Sequence, residues 1–174
     1  MDNFKQYLEE GRDAPLFHGT SIRNAAKILK MNTMTAQTRH KQFPPAMDTP
    51  KNVISLTRSF KFAKRWYNHV HYRGVIFELD QRKLAQRHKI MVYNHFGLGD
   101  YGGKGVAREK NDVRANGFPI NQYEENIIGD IKNLDKFLIK IHVTTEFLSY
   151  KYFDEELLKH PLLWNIDTKK WVNK

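Results

Sequence analysis

The sequence predicts an α+β fold in a single domain, and three observations carry that expectation. Its 174 residues suit one domain and would crowd two. Hydrophobic residues make up 40% and aromatics 13%, enough for a real core and too much for a disordered chain. Short strand-like runs mix with helical ones, without the regular alternation of a βαβ protein.

The elements follow in order. Residues 4–11 read as a short helix. Pro15-Leu16-Phe17-His18 reads as a strand entering a Gly19-Thr20 turn. Ser21 then caps a helix running through Asn32, because Ile22, Ala25, Ala26, Ile28 and Leu29 fall on one side. Residues 37–51 carry three prolines and a basic cluster, Arg39-His40-Lys41, and read as a loop. Asn52 to Thr57 is a strand, and Ser59 caps a second helix to about His69, with Phe60, Ala63 and Tyr67 at helical spacing. Val75 to Leu79 is a strand, residues 80–87 a short helix, and Lys89 to Tyr93 another strand. Residues 94–119, rich in glycine and charge, read as a long loop, which in a compact domain is usually functional or mobile. Asn126 to Ile131 and Phe137 to Val143 are the last strands. Residues 145–174 are expected to pack one or two short helices through Phe147, Leu148, Leu157, Leu158, Leu162 and Trp164.

Composition narrows the function classes. No apolar run approaches the roughly 20 residues of a membrane helix, and the polar start MDNFKQYLEEGRD has no signal-peptide core. Cysteine is absent, which removes disulfides, thiolate metal sites and a cysteine nucleophile and fits a cytoplasmic setting. Twenty-nine Lys+Arg against 19 Asp+Glu leave a net charge of +10. That balance favours polyanionic partners: nucleic acid, a nucleotide or an acidic protein.

Two apparent motifs fail on physical grounds. Gly97-Leu98-Gly99-Asp100-Tyr101-Gly102 matches G-x-G-x-x-G, but the glycines that follow cannot open the helix a pyrophosphate needs. Gly103-Lys104 resembles the end of a P-loop, with Gly105 where Ser or Thr is required. The histidines His69, His71, His88 and His95 lack carboxylates at ligand spacing, so no metal is expected.

Three distant segments place polar residues at the edge of a short apolar strand. They are Leu16-Phe17-His18-Gly19-Thr20-Ser21, Val53-Ile54-Ser55-Leu56-Thr57-Arg58-Ser59-Phe60 and Gln122-Tyr123-Glu124-Glu125-Asn126-Ile127-Ile128-Gly129. In this order they resemble the motifs of the ADP-ribosyltransferase superfamily: a His-Gly-Thr first strand, an S-x-[ST] strand, and a glutamate opening a late strand. The resemblance covers roughly residues 15–143 and leaves 145–174 as a helical extension. It implies two packed, mostly antiparallel sheets forming an NAD cleft within one domain, 1–174. It also implies transfer of ADP-ribose from NAD to a macromolecule, nucleic acid or protein, with no metal. The histidine first motif with a serine-type second motif mixes branches of the family.

The chemistry asks for these residue types. Nicotinamide leaves C1′ of a ribose through an oxocarbenium-like transition state, so an anion beside the developing charge is needed. Glu125 or Glu124 would supply it, with Glu125 preferred because it directly precedes an x-apolar-apolar run; Glu124 instead fits the Gln-x-Glu spacing. His18 is expected to bond the adenosine ribose. Gly19, beside Thr20, lets the backbone approach the nicotinamide amide. Ser55 and Thr57, flanking Leu56, point the same way and would hold the carboxylate or the ribose. Tyr67 would stack on nicotinamide and Arg58 pair with the pyrophosphate. Phe118, Gln122 and Tyr123 belong to the segment expected to face the acceptor. Other readings are an NAD glycohydrolase, an RNA 2′-phosphotransferase-like enzyme, or a non-catalytic basic nucleic-acid-binding module.

Overall fold

The computed structural model describes residues 14–38, 52–61, 63–64, 74–92, 124–149 and 154–174. The expected helix at 4–11 and the glycine-rich segment 94–119 lie outside the described residues.

Strand β1 (Leu16–Ser21) leads directly into helix α1 (Ile22–Met31). Gly19 and Thr20 do not form the expected turn: both stay in the strand, because β1 pairs with β5 (Gly74–Leu79) through all six residues. Ser21 caps α1 as expected, its Oγ accepting from the Asn24 amide at 3.3 Å, a bond of the kind that stabilises a helix by about 1 kcal/mol. Ile22 and Ala25 turn inward, and α1 lies against β1, β5 and α4 (Glu155–Leu158). Asn32 ends the helix with φ 47°, a left-handed conformation that Asn tolerates.

Two short strands follow, β2 (Thr33–Met34) and β3 (Gln37–Thr38). The second is a correction to the expected loop, since Gln37 and Thr38 pair with Val53 and Asn52 at the start of β4 (Asn52–Thr57). Beyond β4, residues 60–61 and 63–64 are helical. After β5, Asp80 caps the short α2 (Gln81–Ala85), accepting from the Lys83 amide at 3.0 Å. Then come β6 (Ile90–Val92), β7 (Glu124–Ile128), β8 (Ile131–Lys132) and β9 (Leu138–Val143). The expected single strand 126–131 is divided, because Gly129 takes φ 80° and turns the chain.

Among the described residues the strands form one nine-stranded sheet and one two-stranded sheet. The large sheet runs, from β11 (Lys170–Trp171) and β10 (Leu163–Asn165), through β9-β5-β1-β4-β7-β6, with β3 added to β4; all its pairings are antiparallel except β10 on β9. Its last two strands were not expected. Residues 145–174 hold two short helices, α3 (Thr145–Leu148) and α4, but also β10 (Leu163–Asn165) and β11 (Lys170–Trp171). The Asn165 side chain builds the turn between those strands, its Oδ1 accepting from the amides of Asp167 at 2.9 Å and Thr168 at 3.2 Å.

The core fills the β1–β5–β9 side. Leu16, Val75, Ile76, Phe77, Leu79, Ile141 and Val143 are fully buried there. In β5 the run Gly74-Val75-Ile76-Phe77 is buried at successive positions, so both faces of that strand are covered. No helix among the described residues is long and apolar enough to cross a membrane.

Candidate functional site

The site lies where the large sheet comes apart. β1 pairs with β5 over its full length, but with β4 through one register pair, Phe17 opposite Thr57. Beyond that bridge the two strands separate, and a cleft of about 490 Å³ opens between them. Its size is within the range that cofactor-sized ligands occupy, roughly 300–1,000 Å³.

The cleft has a polar end and an apolar end. His18, Gly19 and Thr20 form one polar wall and Ser55 faces them from β4. Asn24 and Lys27 join from α1, which starts immediately after β1 and is thereby held over the opening. Ile28, Met31, Met34 and Ile54 line the apolar end, where Met31 is 54% exposed. Among the described lining residues Lys27 is charged and none is acidic. An anionic ligand with an apolar ring suits that lining.

His18 spans the divergence. Its Nδ1 lies 3.0 Å from the Ser55 carbonyl oxygen. A carbonyl accepts only, so Nδ1 carries the proton and donates. Burial pushes the imidazole below its ordinary pKa, and the Ser55 hydrogen bond opposes that only partly. The ring is therefore neutral near pH 7. Nε2 is left as a hydrogen-bond acceptor.

Gly19 leaves room. A Cβ built there would meet the Ala63 carbonyl oxygen at 3.8 Å, ordinary contact distance. The protein alone therefore does not require glycine at this position.

The remaining expected residues lie beside the cleft. β7 pairs with β4, setting Leu56 opposite Glu125, Thr57 opposite Glu124 and Ser55 opposite Asn126. Ser55 Oγ donates to Asn126 Oδ1 at 3.1 Å, which ties the cleft wall to β7. Leu56 is buried in the core at 2% exposure, and Thr57 accepts from the Ser59 amide at 3.1 Å. Glu125 is fully buried, and its Oε1 sits 2.6 Å from Nε of Arg58. Arg58 thus contacts a carboxylate and does not line the cleft, and among the described lining residues the cation is Lys27.

No family model matches the chain, and no curated protein or solved structure matches it either. The site is therefore read from its own geometry.

The structure brings together His18, Gly19, Thr20 and Ser55, and it sets Glu124 and Glu125 one strand away. Tyr67, Phe118, Gln122 and Tyr123 lie outside the described residues. Lys27, Asn24 and Asn126 were not anticipated. Asn24, Lys27 and Met31 recur at i, i+3 and i+7 of α1, a stripe beside the buried one, and that spacing was the available signal. Asn126 carries no such signal, because its pairing with Ser55 depends on register. Among the described residues no cluster of acidic and histidine side chains is placed to hold a metal.

Proposed function

We propose that this protein binds NAD in the cleft between β1 and β4 and transfers its ADP-ribose to a macromolecular acceptor, releasing nicotinamide. One observation carries the reading. The three motif segments, dispersed over more than a hundred residues, become adjacent strands β1, β4 and β7 of the large sheet, with the cleft between the first two.

The roles follow from the geometry. The backbone at Gly19 receives the nicotinamide amide, where the absent side chain leaves space. His18 Nε2 accepts from a ribose hydroxyl. Lys27 neutralises the pyrophosphate in place of Arg58, and Asn24 beside it donates to a phosphate oxygen. The apolar end takes an aromatic ring of the dinucleotide against Met31 and Ile28.

The two glutamates divide the work. Glu125 would have to leave a buried 2.6 Å contact with Arg58 to reach a sugar. Its role is to hold Arg58 and fix β7 against β4. Glu124, opposite Thr57 at the start of β7, supplies the carboxylate for the chemistry. This reverses the preference for Glu125 drawn from the apolar run. In the reaction the C1′–N bond breaks and nicotinamide leaves with the electron pair. The carboxylate stabilises the cationic sugar through its 2′-hydroxyl. An acceptor nucleophile then bonds to C1′ and loses its proton.

The test is to incubate the pure protein with NAD labelled in its adenylate half and a cell lysate. Portions are digested with nuclease or protease, with Glu124→Gln alongside. Label in large material that disappears in the variant supports transfer, and the digestion that removes it names the acceptor class. Free ADP-ribose alone would change the reading to a glycohydrolase. No NAD consumption would remove the enzymatic reading.

A further inference from the structure

The far edge of the large sheet carries a second feature, independent of the cleft. Trp164 of β10 stands directly opposite Trp171 of β11, with ring centroids 5.1 Å apart and planes at 81°. Lys140 of β9 places its ammonium 4.9 Å from the Trp164 ring, and Lys174 places its own 4.3 Å from Trp171. Both indoles are only partly buried. Lys169 and Lys170, in the turn and first residue of β11, are exposed. Among the described residues none of these four lysines is joined in an ion pair.

Register connects this edge to the cleft. Gly19 pairs with Ile76, Ile76 with His142, His142 with Trp164, and Trp164 with Trp171. Paired residues lie on one face of a sheet. Gly19 and the two tryptophans therefore belong to one transverse row, in which Ile76 and His142 between them are buried, so the two surfaces are separate. At about 4.8 Å per strand, Trp164 is roughly 14 Å from Gly19 and Trp171 roughly 19 Å.

We infer that this Lys-Trp-Trp-Lys row is a docking surface for single-stranded nucleic acid. Partly exposed indoles offer stacking surface to any base, and lysines outside any ion pair offer charge to phosphates, although Lys140 stands across from Glu78, which bonds His142. A lysine now seated over an indole can move to a phosphate when a base takes its place, so both contacts form together. An acidic polypeptide would satisfy the lysines but would leave the aromatic faces unused. A duplex would keep its bases stacked on one another. The surface goes beyond the NAD reading and does not depend on it.

The experiment uses the full chain without NAD. A fluorescein-labelled mixed-sequence 12-nucleotide strand, as RNA and as DNA, is titrated by anisotropy while intrinsic tryptophan emission is followed. The same sequence as duplex and a polyglutamate peptide serve as competitors. Single strands should bind and quench the tryptophan emission. Trp171→Ala should weaken binding about ten-fold or more, with Trp171→Phe recovering most of the loss. A Lys140→Gln/Lys174→Gln variant, which leaves the indoles in place, should lower the slope of log affinity against log salt by about 1.4. Circular dichroism checks that each variant is folded. Unchanged single-strand affinity in the folded lysine variant would overturn the proposal. So would polyglutamate competing as well as an unlabelled single strand, which would assign the surface to an acidic protein.

Discussion

The two halves of the large sheet bury different kinds of residue. On the β5–β9 side the strands bury Val75, Ile76, Phe77, Leu79, Ile141 and Val143, with the polar pair His142 Nε2 and Glu78 Oε2 at 2.6 Å and, in neighbouring β10, Asn165. On the β4–β7 side, Thr57, Glu125 and Asn126 are buried among the apolar residues, and Arg58 is 13% exposed against Glu125. Burying charge costs several kcal/mol per ion before pairing repays it. A sheet selected for stability alone would use apolar residues on both sides. The difference lies in Glu125, a carboxylate at 0% exposure that the half next to the cleft keeps at a cost. Such local violations of core rules concentrate where a protein functions.

The largest expected effect tests whether that polarity is structural. Arg58→Ala removes the guanidinium 2.6 Å from the buried Glu125 carboxylate and should cost about 3–5 kcal/mol in urea unfolding. Replacing both, as Arg58→Met/Glu125→Leu, should restore most of the loss. A double replacement as damaging as the single one would mean that the pair is held by more than its own attraction.

A smaller effect in stability but a large one in activity is expected for Glu124→Gln. NAD consumption should fall about 10²- to 10³-fold, while the free energy of urea unfolding stays within about 0.5 kcal/mol of wild type. Equal activity in Glu124→Gln, with loss in a folded Glu125→Gln, would exchange the two roles.

The pH response is expected to be smaller again. Burial holds His18 and His160 below the ordinary imidazole value, which is about 6.5. Just below that value the unfolded chain binds protons that the folded chain does not. Stability is therefore fully present above it and declines as pH falls towards the lowered values. His160 Nδ1 also accepts from the Leu162 amide at 3.2 Å, a bond that protonation removes. Urea midpoints measured from pH 7.5 to 5 should fall, and His160→Asn should flatten part of the decline. A midpoint that rises on acidification would contradict the sign.

Much of the scaffold was legible because local signals fixed it. The Ser21 cap, the inward stripe of α1 and the apolar runs of β4, β5 and β9 each stand in a few residues. The Gly19-Thr20 pair misled, because pairing with β5 over six residues outweighs a glycine's turn preference. β10 and β11 were read as helical because their few apolar residues, Leu163, Trp164 and Trp171, are too short a run to show a period of two. Within the site, His18, Gly19, Thr20 and Ser55 were legible as strand-edge polar residues. Lys27 became visible only when α1 was placed beside β1. The Arg58–Glu125 pair needed the register of β4 on β7, which depends on contacts far apart in sequence.

The most direct test of the cleft is NAD binding to Gly19→Ala, measured by calorimetry beside wild type. The added methyl has room in the free protein, its nearest contact being 3.8 Å from the Ala63 carbonyl oxygen. The account predicts an unfolding midpoint at or slightly above that of wild type, with NAD affinity reduced about ten-fold or more, which corresponds to at least 1.4 kcal/mol. Equal NAD affinity in the two proteins, or no binding to wild type, would contradict it.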